Sequence, residues 1–168
     1  MAGNLEYTSD AENWRDRMEA SLTEMGVTVL SPIKPMFDFQ EAETPEFRRE
    51  LLEARSSGDF SYVKERMKPI IERDLRLIDL CDFCVINLEV CKPTFGTIHE
   101  LVIAEQQQKP IFLIVRNKRV TPLWILGLLD SKYIYESQDE VISTLRGIDQ
   151  GVIQHNPKKW KLLSPDKR

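Results

Sequence analysis

The sequence predicts an α/β protein, a parallel sheet with helices on both faces. Three observations carry the prediction. Phe83–Leu88 (FCVINL) is a continuous apolar run, as expected for a strand covered on both sides. Ile111–Val115 (IFLIV) is a second such run. The segment between them, Phe95–Gln108, has the length and pattern of a helix. Strand, helix and strand in that order make a βαβ unit, whose crossover is right-handed and whose strands are parallel.

The remaining elements follow in chain order. Met1-Ala2-Gly3-Asn4 is a very thin first strand, so either the sheet begins with a stub or residues that belong before Met1 are missing. Ser9-Asp10-Ala11-Glu12 has the pattern of a capping box, and Trp14, Met18, Leu22 and Met25 follow at helical spacing until Gly26 closes the helix. Val27–Leu30 reads as a short apolar strand ended by Ser31-Pro32. Residues 33–43 read as loop. Thr44-Pro45 opens another helix, with proline at its favoured first position, and Ser56-Ser57-Gly58-Asp59 breaks it. A further helix runs to about Leu80, with Pro69 either kinking it or marking its start. After Val115 come a loop over 116–122, a short apolar segment Leu123–Leu129, a strand at Tyr133–Tyr135 and a final helix Asp139–Leu145. The expected organisation is one domain over 1–155 with a Lys- and Pro-rich tail over 156–168.

Composition narrows the function classes. A chain of 168 residues buries roughly 70% of its unfolded surface and needs no staples. The net charge of −4 argues against a nucleic-acid polymer as partner, since that requires a basic face, but leaves small anionic ligands open. No apolar run approaches the ~20 residues that span a membrane. The N-terminus shows no basic-then-apolar signal pattern, so the expected location is cytoplasmic. Cys81 and Cys84 form a C-x-x-C, but no second pair supplies four ligands and His99 and His155 are isolated. The cysteines therefore read as packing residues, with no metal implied.

Two carboxylates stand out. Glu100 follows the strand 83–88 and the loop Cys91-Lys92-Pro93-Thr94-Phe95-Gly96. It is expected in the first turn of the next helix, beyond the strand's carboxyl end, where open parallel sheets place ligands. Thr97-Ile98-His99-Glu100 also fits a capping box, with Thr97 closing the helix and Glu100 reaching back. Glu100 is thus a cap, a binding group or a nucleophile. Gly96 allows close backbone approach to a ligand, and N–H groups at a helix start favour anions. Asp74 shares a helical stripe with Ile70, Ile71, Leu75 and Ile78, an expensive place for a carboxylate unless it is paired or faces a cavity. The structural alternative is an ion pair with Arg73, Arg76 or Arg48. Gly3-Asn4 at a strand end is a third candidate. Arg15 and Arg17 read as solvated helix-face residues.

These residues resemble the nucleoside 2-deoxyribosyltransferases and the related deoxynucleoside 5′-monophosphate N-glycosidases. The resemblance covers most of residues 1–136. It rests on Ala2-Gly3-Asn4, Asn13-Trp14-Arg15, Asp74-Leu75 with Ile78, Asp82, Thr94-Phe95-Gly96-Thr97, Glu100-Leu101 with Ala104, and Lys109-Pro110. It implies a flavodoxin-like (Rossmann-like) parallel sheet of about five strands and cleavage of an N-glycosidic bond. Glu100 would be the nucleophile and Asp74 would handle the leaving base. Gly3, Asn4, Gly96, Thr97 and Thr94 would line the substrate site, Thr94 at the 5′ end of the sugar. A neutral hydroxyl there tolerates a phosphate that a carboxylate would repel. The family's pocket tyrosine lies before the position of Met1, and Tyr7 does not inherit its role. The acidic Leu5-Glu6-Tyr7 stands where some monophosphate hydrolases carry a basic residue. The resemblance implies a nucleoside or nucleotide substrate and no cofactor. It also implies a homo-oligomer with a shared active site, the loop Arg116–Trp124 being the donor. The rival class is a non-catalytic nucleotide-binding module with Glu100 as a helix cap.

Overall fold

A computed structural model describes residues 2–3, 11–32, 44–91 and 95–154. Its sheet is parallel, with strands β1 (Ala2–Gly3), β2 (Cys84–Asn87), β3 (Ile111–Ile114) and β4 (Ile134–Tyr135) side by side in that order. The register pairs Gly3 with Asn87, Ile86 with Leu113, and Leu113 with Ile134. Six helices accompany these strands among the described residues: α1 (Ala11–Glu24), α2 (Pro45–Ser57), α3 (Phe60–Leu80), α4 (Phe95–Gln106), α5 (Leu123–Leu128) and α6 (Gln138–Asp149).

Alternation along the strands sorts the core into two layers, because successive side chains of a strand point to opposite faces. Cys84, Ile86, Ile111, Leu113 and Ile134 face one way and pack with Ile78 of α3, Leu101 and Ala104 of α4, and Ile125 of α5. Val85, Phe112, Ile114 and Tyr135 face the other way and pack with Trp14, Met18 and Leu22 of α1 and with Val141, Ile142 and Leu145 of α6. Helices therefore cover both faces, as the two apolar runs predict. In the second layer Phe112 is fully buried, with Phe83 edge-on at 5.7 Å and Tyr135 at 6.1 Å.

The helix boundaries have local causes. Thr44 accepts a hydrogen bond from the Phe47 N–H and Pro45 opens α2. Gly58, at φ +84°, ends α2 and its N–H reaches the Arg55 carbonyl at 3.2 Å; only glycine takes that left-handed turn without strain. Asp59 then caps α3 through the Tyr62 N–H at 3.0 Å. Pro69 neither starts nor ends a helix: α3 runs through it from Phe60 to Leu80. Ser137 caps α6 through the Glu140 N–H.

Three expectations are corrected. Val27–Leu30 is not a strand; among the described residues the sheet has four strands. A strand exists only through its ladder, and β1 spans two residues that pair with Ile86 and Asn87; Val27 and Val29 instead pack on the α1–α6 layer. Tyr133 belongs to a 3₁₀ turn, Ser131–Tyr133, that leads into β4. Arg15 is not solvated: it is 1% exposed, its guanidinium 4.7 Å from the Trp14 ring. Its position on α1, next to the buried stripe of Trp14 and Met18, carries it inward. Arg17, by contrast, is exposed and pairs with Asp139 at 3.6 Å. The capping box at 9–12, the loop 33–43 and the tail lie wholly or partly outside the described residues.

Candidate active site

Lys109 organises the approach to the site. It sits one residue before the Pro110 that leads into β3, and its ammonium donates to the carbonyls of Ile78, of Asp79 at 2.8 Å and of Cys81 at 2.6 Å. These are carbonyls of the last turn of α3 and its cap, where a cation is favoured by the helix dipole and by acceptors that lack intrahelical partners. One side chain thus ties the carboxyl end of α3 to the entry of β3. The Gln107 amide adds a bond to Asp79 at 2.8 Å.

Beside this junction lies a cleft of about 500 Å³, within the roughly 300–1,000 Å³ typical of small-molecule sites. One wall is the stretch Gly26–Leu30 with Pro32. Another is α3, through Asp74, Leu77, Ile78 and Leu80. The floor is Cys81–Val85, the approach to β2 and its first residues, and Glu100 enters from α4. Asp74 and Glu100, distant in sequence, therefore share one cleft, with Asp82 as a third carboxylate in its lining.

Asp74 is held in place. Nε and Nη2 of Arg73 each lie 2.9 Å from its Oδ1, and the two side chains are only 21% and 13% exposed. Both alternatives raised by the stripe apply at once: the carboxylate is paired and it faces a cavity. Its neighbours one turn away, Ile70 and Ile78, are buried, whereas Ile71 is exposed.

Glu100 differs from expectation in its local setting. Helix α4 begins at Phe95, so Glu100 stands in its second turn rather than its first. Thr97 is the third residue of the helix and is buried at 5% exposure. The expected capping box is overturned: a residue inside the helix cannot be its N-cap, and Glu100 lies beyond the turn whose N–H groups need caps. Glu100 is half-buried at the cleft.

The other expected site residues fall as follows. Gly96 is exposed in the first turn of α4 and is not among the residues lining the cleft; a Cβ there would meet no atom within 4 Å. Thr97 is buried and is likewise not among the residues lining this cleft. Gly3 ends β1 opposite Asn87. Asn4 and Thr94 lie outside the described residues. Sequence reasoning missed the cleft-lining role of Cys81 and Phe83 and the wall at 26–32. The C-x-x-C motif was the available signal for the cysteines. Nothing in a short apolar run distinguishes a cleft wall from a strand.

A family model for nucleoside 2-deoxyribosyltransferase matches residues 1–145. The chain belongs to that family. No curated protein matches it. Membership in the nucleoside 2-deoxyribosyltransferases assigns enzymatic activity of the nucleoside deoxyribosyltransferase type in general and small-molecule nucleoside substrates. No described helix is long and apolar enough to cross a membrane.

Proposed function

We propose that this deoxyribosyltransferase-family chain cleaves the N-glycosidic bond of deoxyribonucleosides or their 5′-monophosphates and passes the sugar to another nucleobase. The observation that carries the reading is the convergence of Glu100 and Asp74 on one cleft. In the proposed reaction the Glu100 carboxylate attacks C1′ through an oxocarbenium-like transition state. The C1′–N bond breaks, its electron pair goes to the base, and the base takes a proton through Asp74 or a water held by it. The nitrogen of a second base then attacks C1′ of the glycosyl–Glu100 ester, the C1′–O bond breaks, and the proton of that nitrogen returns to Asp74 or its water. Glu100 is regenerated, and two inversions give net retention. The apolar cleft walls suit a nucleobase, and the Arg73 fork holds Asp74 steady while it works. Thr94, Asn4, Gly3, Gly96 and Thr97 are kept as proposed substrate contacts on the family resemblance alone, Gly96 and Thr97 lying outside the lining of this cleft.

Incubating one deoxynucleoside with a different free base tests the reading. The exchanged nucleoside is the expected product. Release of base without exchange would replace transfer by hydrolysis to water. Absence of base release from every deoxynucleoside and 5′-monophosphate, with a nucleotide still raising Tm, would favour the binding module instead.

The active site is further proposed to be completed by a second copy of the chain. Leu123 and Trp124 of α5 are 86% and 78% exposed while Ile125 is buried, which supports an interface at the end of the 116–124 loop. A strict monomer by size measurement in solution would remove the loop from the mechanism.

A further inference from the structure

Cys81 and Cys84 take no part in the proposed chemistry, yet both line its cleft. Cys81 is the C-cap of α3 and Cys84 is the first residue of β2. Their sulfurs lie 3.4 Å apart. Cys84 is buried and fixed by its N–H bond to the Pro110 carbonyl at 2.8 Å, and Cys81 is half-buried. The Lys109 ammonium, bonded to the Cys81 carbonyl, holds the cap of α3 in place beside β2. A metal is not indicated: among the described residues no three His, Cys, Asp or Glu side chains gather around one point.

We propose that Cys81 and Cys84 form a redox-responsive dithiol in the cleft wall, closing to an intramolecular disulfide when a peroxide is present and slowing the reaction in the cleft. The sulfurs need approach by only about 1.4 Å, from 3.4 Å to the ~2.05 Å of the bond. The two thiols have different roles. A hydrogen bond from Cys84 lowers the Cys81 thiol from 9.0 to about 7; burial and Asp82 oppose this, and the charge of Lys109 adds to it. The hydrogen bond to Cys81 and burial push Cys84 up. Cys81 is therefore the attacking thiolate and Cys84 the resolving thiol.

The step balances as follows. The Cys81 thiolate attacks the O–O bond of hydrogen peroxide and becomes a sulfenic acid, and the departing hydroxide takes up a proton to leave as water. The Cys84 sulfur attacks the Cys81 sulfur, the S–S bond forms, and the hydroxyl leaves with the Cys84 proton as a second water. Two thiols are oxidised by two electrons and one peroxide is reduced to two waters.

Closure acts on the site through α3. Asp74 lies two turns before Cys81 on that helix, and Leu77 and Ile78 between them line the cleft. Drawing the cap toward β2 disturbs the Cys81 Sγ–H bond to the Ile78 carbonyl, now 3.3 Å, and shifts this wall. This consequence rests on the proposed function. A displaced wall is expected to slow base release about tenfold, since misplacement by 1 Å can cost a hundredfold.

The Cys91→Ser chain, which keeps only the pair, is treated with hydrogen peroxide, unfolded, exposed to N-ethylmaleimide and weighed intact. The expected product is lighter by two hydrogens and carries no adduct, and dithiothreitol restores two adducts. Two adducts after peroxide, or a sulfinic acid without linkage, would overturn the dithiol. Base release by the same chain should fall on oxidation and return on reduction. In Cys81→Ser, whatever its basal rate, peroxide should change nothing. A disulfide that forms without altering base release would overturn the coupling to the cleft. No base release in the reduced protein would instead count against the proposed function, while the mass measurement still decides the dithiol.

Discussion

The two faces of the sheet are built by the same alternation and have divergent contents. The α1–α6 face is filled with Trp14, Met18, Phe112, Tyr135 and Val141. The α3–α4 face contains apolar residues of the same kind, but its helices also carry Asp74, Glu100 and Cys81 to a cleft at the layer's margin. A parallel sheet is covered on both faces, so both layers are apolar. What differs is polar content: the α3–α4 face brings carboxylates and thiols to the cleft where α3 ends and β2 begins, and the proposed chemistry is assigned to that margin.

The comparison predicts opposite behaviour for substitutions on the two faces. The largest effect is expected for Glu100→Gln, which keeps shape and removes the proposed nucleophile. Base release should fall by roughly 10⁴-fold or more, with stability unchanged to within about 1 kcal/mol. Urea unfolding and a base-release assay on one preparation measure both, and activity retained by this variant would remove Glu100 from the mechanism. Phe112→Ala should do the reverse. It empties the centre of the aromatic layer at a cost of about 3–5 kcal/mol, while rates per folded molecule stay near those of the parent. A selective loss of rate in Phe112→Ala would show that the faces are not separable in this way.

The difference between the faces also explains what the sequence could disclose. The strands at 84–87 and 111–114 were legible because they sit in almost wholly apolar runs, broken only by Asn87, and α1 was legible from Trp14, Met18 and Leu22. Those signals come from burial, which periodicity reports directly. Arg15 was misread because a charge beside a buried stripe looks solvated until the helix's neighbours are known. Val27–Leu30 was misread because strand character depends on a ladder partner, which a short apolar run does not reveal. Glu100 and Asp74 were identified from position and resemblance. Their meeting in a cleft is a tertiary fact that spacing does not encode. The capping box failed on a register of two or three residues, the scale on which sequence patterns locate helix ends least well.

Asp74→Asn is the next sharpening, with a smaller effect. The amide oxygen can still accept from Arg73, so the fold should persist with a loss of about 1–2 kcal/mol. Base release should fall about 10²-fold, the usual scale of general acid–base assistance. The loss should shrink for nucleosides whose base departs readily without a proton. An equal loss for all leaving groups would make Asp74 a positioning residue and remove its proton from the scheme.

The smallest expected effect tests the cleft end of the α3–α4 face through its own thermodynamics. In the reduced protein the Cys81 thiol is held at about 7 rather than 9.0, first by the hydrogen bond from Cys84. Below about pH 7 the folded and unfolded chains both keep the Cys81 proton, and the interaction with its thiolate adds no stability. Between about 7 and 9 the folded chain has released that proton while the unfolded chain still binds it, so stability rises with pH. Above 9 the unfolded chain also ionises Cys84, whose folded thiol is pushed up, and stability falls again. The increment should be about 1 kcal/mol once solvent screening of a half-exposed thiol is allowed for. Urea unfolding under reducing conditions, run for the parent and for Cys81→Ser, isolates this from other groups that titrate in the same window. The difference between the two proteins should widen from pH 7 toward 9 and narrow beyond. A difference that stays flat would mean that Cys81 keeps an ordinary thiol in the fold. That would remove the distinction between Cys81 as attacking thiolate and Cys84 as resolving thiol, and leave the dithiol to the mass measurement alone.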